Sequence, residues 1–387
     1  MAEPDQDVTK SRIWDRPVTR RAMLAAGAAG TAGGAAVLVL GLSGDGNSAD
    51  PANAGSAPTA TAGGSAAAEP TATSAPTQTI GLVSEASRRA GHLLRRAGFG
   101  GTPQEIEAFA GLSREEAASR LVDYESIDNS ALEAEMADFD IYQRDDIHRQ
   151  WLTRMAHTAR PLEERMTLIW HGLLVTQINQ LGGSGPGRIR VMDDQIELYR
   201  SMALPIYDDL LKAVGKDPAM MRYLNTADSS KEHPNENYGR ELLELFSMGV
   251  GTYTEDDVRE AARAFTGWRV SRPRRAAGDR PDREEQIQIA KDWEPEFFVS
   301  THAHDSGLKT FLGQTGNWDG DDIVDIVMAS DAPGRFITRR LFTEFVHDHP
   351  SEASVDALEA VWDETGHDVR EVVRAILVSD EFYSDEA

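Results

Sequence analysis

The chain contains no cysteine. That absence excludes disulfides, thiolate metal sites, a cysteine nucleophile and a lipid-bearing cysteine. Basic residues are scarce as well: 39 Lys and Arg stand against 64 Asp and Glu, a formal net charge of −25 over 387 residues. Residues 1–50 hold 5 of the basic and 6 of the acidic groups, so the rest of the chain carries −24. A body this acidic repels a phosphate backbone, and no basic stripe offsets it, which argues against nucleic acid as a partner. Also missing are a Gly-x-Ser-x-Gly elbow in the folded part, a phosphate-binding loop, a dinucleotide fingerprint ahead of a helix, and any repeat of fixed period.

Apolar runs of membrane length are absent except for one, Ala22 to Leu42, which is rich in Ala and Gly. It follows directly on "TRRAML" (Thr19 to Leu24). Paired arginines, a mildly apolar stretch and a small-residue exit form the pattern of a twin-arginine export signal. "ANA" at Ala52 to Ala54 supplies a small-x-small cleavage site. An uncleaved anchor is the competing reading, since the run could just span a bilayer. Its weak apolar surface favours cleavage, after which no membrane span is expected. The twin-arginine route exports folded proteins, which suits a chain that needs no oxidative folding. From Gly55 to Thr79 only small and polar residues such as Ala, Thr, Ser, Pro and Gly recur, a composition that cannot offset its chain entropy and reads as a disordered tether. The expected organisation is therefore a signal over 1–54, a tether over 55–79 and a folded domain over 80–387, exported to the cell envelope or the extracellular space.

Helix punctuation is dense in that domain. "TPQE" (Thr102 to Glu105) is a capping box with proline at the first helical position, and "SREE" (Ser113 to Glu116) opens the next helix. Further helices are predicted over residues 205–214, 218–224, 236–248, 255–265, 321–328, 334–346, 354–363 and 368–377. "QIQIA", "EFFVS" and "KTFLG", between Glu284 and Gly313, read as short strands. The fold class is mainly α: one large helical domain with a small β-hairpin-like insertion at about residues 284–313.

"HLLRRAGFG" (His92 to Gly100), "DPAMMRYLN" (Asp217 to Asn225), "NENYGRELLELFSMGVGTYTEDDVREAARAFTGW" (Asn235 to Trp268) and "HDSGLKTFLGQTGNWDGDDIVDIVM" (His304 to Met328) occur in this order. Together they resemble the bacterial domain-of-unknown-function 1800 family over nearly the whole span from His92 to Tyr383. The resemblance implies a helical domain, frequent export, and no established activity. It also implies a possible partner, an exported sulfatase-like or phosphatase-like protein whose gene often lies alongside. Family members often carry Trp-His-x-His-Phe where this chain has Trp170-His171-Gly172-Leu173, which puts any role built on a histidine pair there in doubt.

"PNENYGRELLELFSMG" (Pro234 to Gly249) concentrates hydrogen-bonding groups at a helix entrance. Tyr238, Leu242, Leu245 and Phe246 form one apolar stripe, and Asn237, Arg240, Glu241 and Glu244 a polar one. Asn235 is placed to cap, Glu236 to pair with Arg240, and Gly239 implies a close backbone neighbour. Asn237 and Glu241 have no structural task in that scheme, which suggests a polar cleft beside the alternatives of a buried network or a solvated face. In "HAHDSGLK" (His302 to Lys309), an extended backbone would put His302 and His304 on one side, with Asp305 orienting a ring; a turn closed by Asp305 and Gly307 is the plainer alternative. Arg95 and Arg96 suit a helix C-terminus, with a salt bridge to the acidic body or an anion as partner, and His171 a satisfied core position or a ligand. "NWDGDD" (Asn317 to Asp322) lacks the EF-hand glycine and glutamate and reads as a helix cap. No metal site and no cofactor follow from these motifs.

Two functions compete on this reading. The first is an enzyme acting on an envelope or extracellular polymer, with Glu241, His304 and Asp305 catalytic and Asn235, Asn237, Arg240 and Lys309 binding substrate. The second is a non-catalytic envelope factor that binds or assembles a partner protein.

Overall fold

The computed structural model describes residues 83–181, 185–273 and 281–387; the export signal and tether inferred above lie outside the described residues. The domain is mainly helical, as the periodicity predicts. It opens with α1 (Glu85–Arg96), α2 (Pro103–Ala110) and α3 (Arg114–Val122). Their entrances are capped as the residue spacing implies: Thr102 and Ser113 form reciprocal boxes with Glu105 and Glu116. Next come α4 (Ser130–Met136), α5 (Arg144–His157), α6 (Pro161–Leu173) and α7 (Pro186–Ser201), then α8 (Tyr207–Lys216) and α9 (Pro218–Tyr223). α10 (Asn237–Glu241) runs straight into a π-helical turn (Leu242–Ser247), followed by α11 (Glu255–Ala264) and α12 (Arg283–Lys291). α13 (Gly320–Met328), α14 (Ala332–Phe345), α15 (Glu352–Glu364) and α16 (Val369–Val378) complete the series. Among the described residues no helix is long and apolar enough to cross a membrane.

Two small antiparallel sheets accompany the helices. β1 (Trp268–Val270) pairs with β2 (Phe297–Val299), Trp268 opposite Val299. β3 (Lys309–Phe311) and β4 (Gln314–Gly316) form a hairpin whose two-residue turn, Leu312–Gly313, has positive φ at both positions. The strand expected at "QIQIA" is instead α12. Asp282 caps it through Glu285 N, and Gln286, Ile287 and Ala290 face inward at helical spacing. The alternation of Ile with Gln mimics period two but spans too few residues to outweigh the cap.

One continuous core threads the domain. Trp170, Tyr207 and Trp362, all fully buried, pack in series as tilted rings at separations of 5.8 and 5.7 Å, and Trp170 Nε1 donates to Ala203 O. The C-terminal helices close over the N-terminal ones. His92 Nε2 meets Phe382 O at 2.8 Å, and Arg374 binds Asp123 of the α3 end at 2.7 Å. Arg96 donates to Phe345 O and Val346 O, so the "RRAGFG" motif caps the C-terminus of α14 from α1 rather than pairing with an acid.

Candidate functional site

α11 organises the sequence-predicted residues, one group at each end. At its N-terminal end Arg240 donates two bonds of 2.8 Å to Glu255 and one of 3.2 Å to Glu236. The pairing with Glu236 is the one the i, i+4 spacing predicts. Glu255, 15 positions away, is the dominant partner and was not legible from spacing. Gly239 lets α10 lie against α11: a Cβ there would stand 3.3 Å from Ala261 Cβ and from Ala262 N. That is the close neighbour the mid-helix glycine implies. Glu241, half-buried and next to Arg240 in sequence, makes no hydrogen bond among the described residues. Burial lifts its carboxyl above the usual range, the Glu244 charge adds to this, and Arg240 opposes it. Glu244 in turn accepts from Tyr253 OH at 3.1 Å.

The apolar stripe holds only in part. Tyr238, Leu242 and Phe246 are buried, but Leu245 is 49% exposed and Leu243 is buried in its place. The π-helical turn explains this, because it widens the helix from Leu242 onward. Leu243 O receives both Met248 N and Gly249 N, and the residues after Leu242 are rotated off the α-helical stripe.

At the C-terminal end of α11 the "HAHDSGLK" segment is a turn. Residues 300–304 form a helical loop (Ala303 N and His304 N both donate to Ser300 O), so His302 and His304 do not project as a chelating pair, and His302 is exposed. Asp305 accepts from Arg263 Nε at 2.8 Å and from Gly307 N at 2.9 Å. These bonds hold its carboxyl below the usual range, Arg263 foremost. Lys309 is 1% exposed, its Nζ donating to Asp305 O and Gly307 O at 2.6 and 3.1 Å, and burial lowers its pKa. His304 Nδ1 lies 2.8 Å from Thr266 O. A carbonyl only accepts, so Nδ1 carries the hydrogen and the neutral ring presents Nε2 as its basic atom. Gly267 permits this approach. Its φ is +80°, and a Cβ would fall within 2.9 Å of Ser300 O, His304 N and His304 Cα.

The same corner takes in the helix entrance. Ser229 O accepts from Gly267 N, Ser229 Oγ accepts from Asn235 N, and Lys231 N donates to Ala303 O. Asn235 Oδ1 accepts from Asn237 N at 3.0 Å in a two-residue turn just ahead of the helix, whose N-cap is Glu236 and not the expected Asn235, while Asn237 itself is exposed. Asn235, His304, Asp305 and Lys309 thus converge. The Arg240 side chain reaches Glu255 at the start of α11, and Glu241 makes no hydrogen bond or ion pair with His304, Asp305 or Lys309 among the described residues.

A second polar cluster escaped sequence reasoning. Arg154 (α5) binds Glu133 through bonds of 2.7 and 2.8 Å and approaches Glu197 at 3.9 Å. Arg200 (α7) binds Glu164 at 2.6 and 3.3 Å and Glu197 at 2.5 Å. Glu163, 9% exposed, has Arg160 at 3.6 Å; Asp193, 6% exposed, makes no ion pair or hydrogen bond among the described residues. Burial pushes both carboxyls up to about 7. These residues read as solvated helix charges because the pairs Glu133–Arg154, Glu164–Arg200 and Arg154–Glu197 lie 21 to 43 positions apart; the one signal was the Glu163–Glu164 pair set between Leu162 and Met166. His171 belongs to the neighbouring wall, edge-on to Trp151 at 5.2 Å. Its Nδ1 is buried without a partner, so it is not the satisfied core histidine expected, and burial pulls its pKa down to about 4.

Among the described residues no group of three or more His, Asp or Glu is arranged to hold a metal ion. A notch of about 80 Å³ beside Arg89, Phe109, Arg114 and Tyr383 is well below the size of a small-molecule pocket. No curated protein and no solved structure matches the chain. The model of the family described as "Protein of unknown function (DUF1800)" matches residues 92–387, which cover all four motif blocks, and the chain belongs to that family.

Proposed function

We propose that this chain is an exported protein of the cell envelope or extracellular space that works by binding and helping to assemble a partner protein. The observation that carries the reading is the commitment of the candidate residues to bonds within the fold. Arg240, Asp305 and Lys309 are each committed to structural bonds, and the two remaining acid–base groups, Glu241 and His304, make no hydrogen bond to each other. Beside Glu241 the π-helical turn leaves Leu245 exposed, with Val250 79% exposed just beyond it. An apolar pair next to the half-buried Glu241 and Glu244 suits a partner surface that is itself apolar and cationic. The exported sulfatase-like or phosphatase-like protein is the partner we propose.

Binding of the purified mature chain to that protein tests this. Leu245→Asp should weaken binding at least tenfold without lowering the melting temperature, because the side chain is not in the core. Unchanged binding in that variant removes the reading.

The locked His304 ring favours one second reading, an enzyme acting on an envelope or extracellular polymer with Nε2 as general base. It predicts turnover of an envelope polysaccharide that His304→Gln abolishes and Glu241→Gln leaves intact.

A further inference from the structure

The small sheet of β1 and β2 leaves one edge open. Ser271 N donates to Glu296 O at 2.8 Å and Ser300 N to Gly267 O at 2.7 Å. Ladder bonds in an antiparallel pair fall on alternate residues, and these two set the phase. Arg269 and Phe298 bond each other, while the backbone groups of Phe297 and Val299 point away from β1. Those groups make no hydrogen bond among the described residues. The edge is apolar on both faces, with Phe298 49% and Val299 43% exposed. Val299 shares its face with buried Trp268, its partner in the register, so the core runs out beneath β2. An exposed edge strand is a template for another strand, and Phe297–Val299 carries none of the usual guards: no charge, no proline and no bulge.

We propose that a second copy of this chain covers the edge, β2 pairing antiparallel with the partner's β2 about a twofold axis at Phe298. The register is self-complementary. Phe297 falls opposite the partner's Val299, and Val299 opposite the partner's Phe297. These are the residues whose backbone groups point outward, so each pair exchanges both of its N–H···O bonds. No other antiparallel register pairs both outward residues of each copy. The two Phe298 rings then meet at the closer, non-hydrogen-bonded position, with Cα atoms about 4.5 Å apart. On the opposite face each bare Val299 gains the partner's Phe297, a ring that already packs edge-on to Trp268 at 5.0 Å. Charge fits the same register, because Glu296 falls opposite the partner's Ser300 and meets no acid across the axis.

The balance of forces gives this dimer a signature. A net charge of −25 on each copy opposes association at long range, while the attraction sits in backbone bonds and apolar contact at the edge. Salt screens the repulsion and does not weaken the contact. The dimer should therefore tighten as ionic strength rises, the reverse of an interface held by surface ion pairs.

The test is sedimentation velocity of the purified full chain from low to high micromolar concentration, at low and at high salt. The expected result is a monomer–dimer equilibrium that shifts toward dimer with concentration and with salt. Phe298→Glu sets like charges opposite each other, and Val299→Pro removes an outward N–H without touching the β1 ladder. Each should weaken the dimer about tenfold or more. Leu245→Asp, on a different element, should leave it unchanged. A chain that stays monomeric throughout, a dimer that either β2 variant leaves intact, or one that Leu245→Asp dissolves overturns the proposal. If the β2 variants fail to fold, amide hydrogen exchange of wild type decides. Phe297 and Val299 amides protected only at high concentration support the dimer, and the same exchange at every concentration overturns it.

Discussion

Gly239 and Ala261 bring α10 and α11 into backbone-to-side-chain contact, with room for no more than a methyl group between them. Gly239→Val should therefore destabilise the domain by about 1–3 kcal/mol through overpacking. Gly239→Ala should fall near neutral, because its gain in helix propensity of about 1 kcal/mol offsets the squeeze. Denaturation curves of the two variants check this ordering.

Leu242 and Glu241 are adjacent in sequence but opposite in energetic character. Leu242 is fully buried, so Leu242→Ala should cost about 2–4 kcal/mol. Glu241→Gln should leave the melting temperature unchanged or slightly raised, since the native carboxyl is partly desolvated and lies near the Glu244 charge. A loss of several kcal/mol in Glu241→Gln would mean that the carboxylate is tied into a buried network after all.

Lys309 closes the turn of the DUF1800 "HDSGLK" block by taking up two carbonyls. Replacing it with methionine keeps the side-chain volume but leaves Asp305 O and Gly307 O without a donor. The expected cost is about 1–3 kcal/mol, with faster amide exchange across residues 305–309. Unchanged stability would show that water replaces the ammonium group there.

His171 gives acidification its own signature. Its folded pKa of about 4 lies below the ordinary histidine value, so the unfolded chain binds more protons between roughly pH 4 and 6.5. The stabilising contribution of the neutral ring is complete above pH 6.5 and is lost as pH falls toward 4. His171→Gln should flatten the melting-temperature profile below pH 6.5 and leave the profile above it alone. An unaltered profile below 6.5 would rule out the buried neutral ring.

Export is expected to rest on Arg20 and Arg21. Changing both to lysine should leave the protein in the cytoplasm, because the paired guanidinium groups are the feature recognised. Cell fractionation reads the outcome, and normal export of the double variant would remove the twin-arginine assignment.

How much of this was legible depended on how local the cause was. The capping boxes at Thr102, Ser113 and Asp319 are contacts over three residues, and each forms as the spacing predicts. The crowding at Gly239 is equally readable, since a glycine in mid-helix needs a reason. Leu245 was misplaced because an α-helical period was carried through a π-helical turn that has no local sequence marker. The ion cluster stayed invisible for a different reason: Glu164 finds Arg200 36 positions away, and Asp193 is distinguished only by what it lacks. The candidate site lies between these cases. Its residue types were readable, but their division between the two ends of α11 depends on how three distant segments pack.

Contacts that join the first helices to the last have a consequence for timing. Arg96 reaches the end of α14, Arg374 reaches back to Asp123, and His92 meets Phe382 O, each across roughly 250 to 290 positions. During synthesis α1–α3 emerge with their partners still unmade, so their buried face stays open until α16 has left the ribosome. Native packing of this layer is therefore a late, all-or-nothing event with a high loop-closure cost. A chain truncated before Val369 should be held by chaperones rather than released as a smaller folded unit.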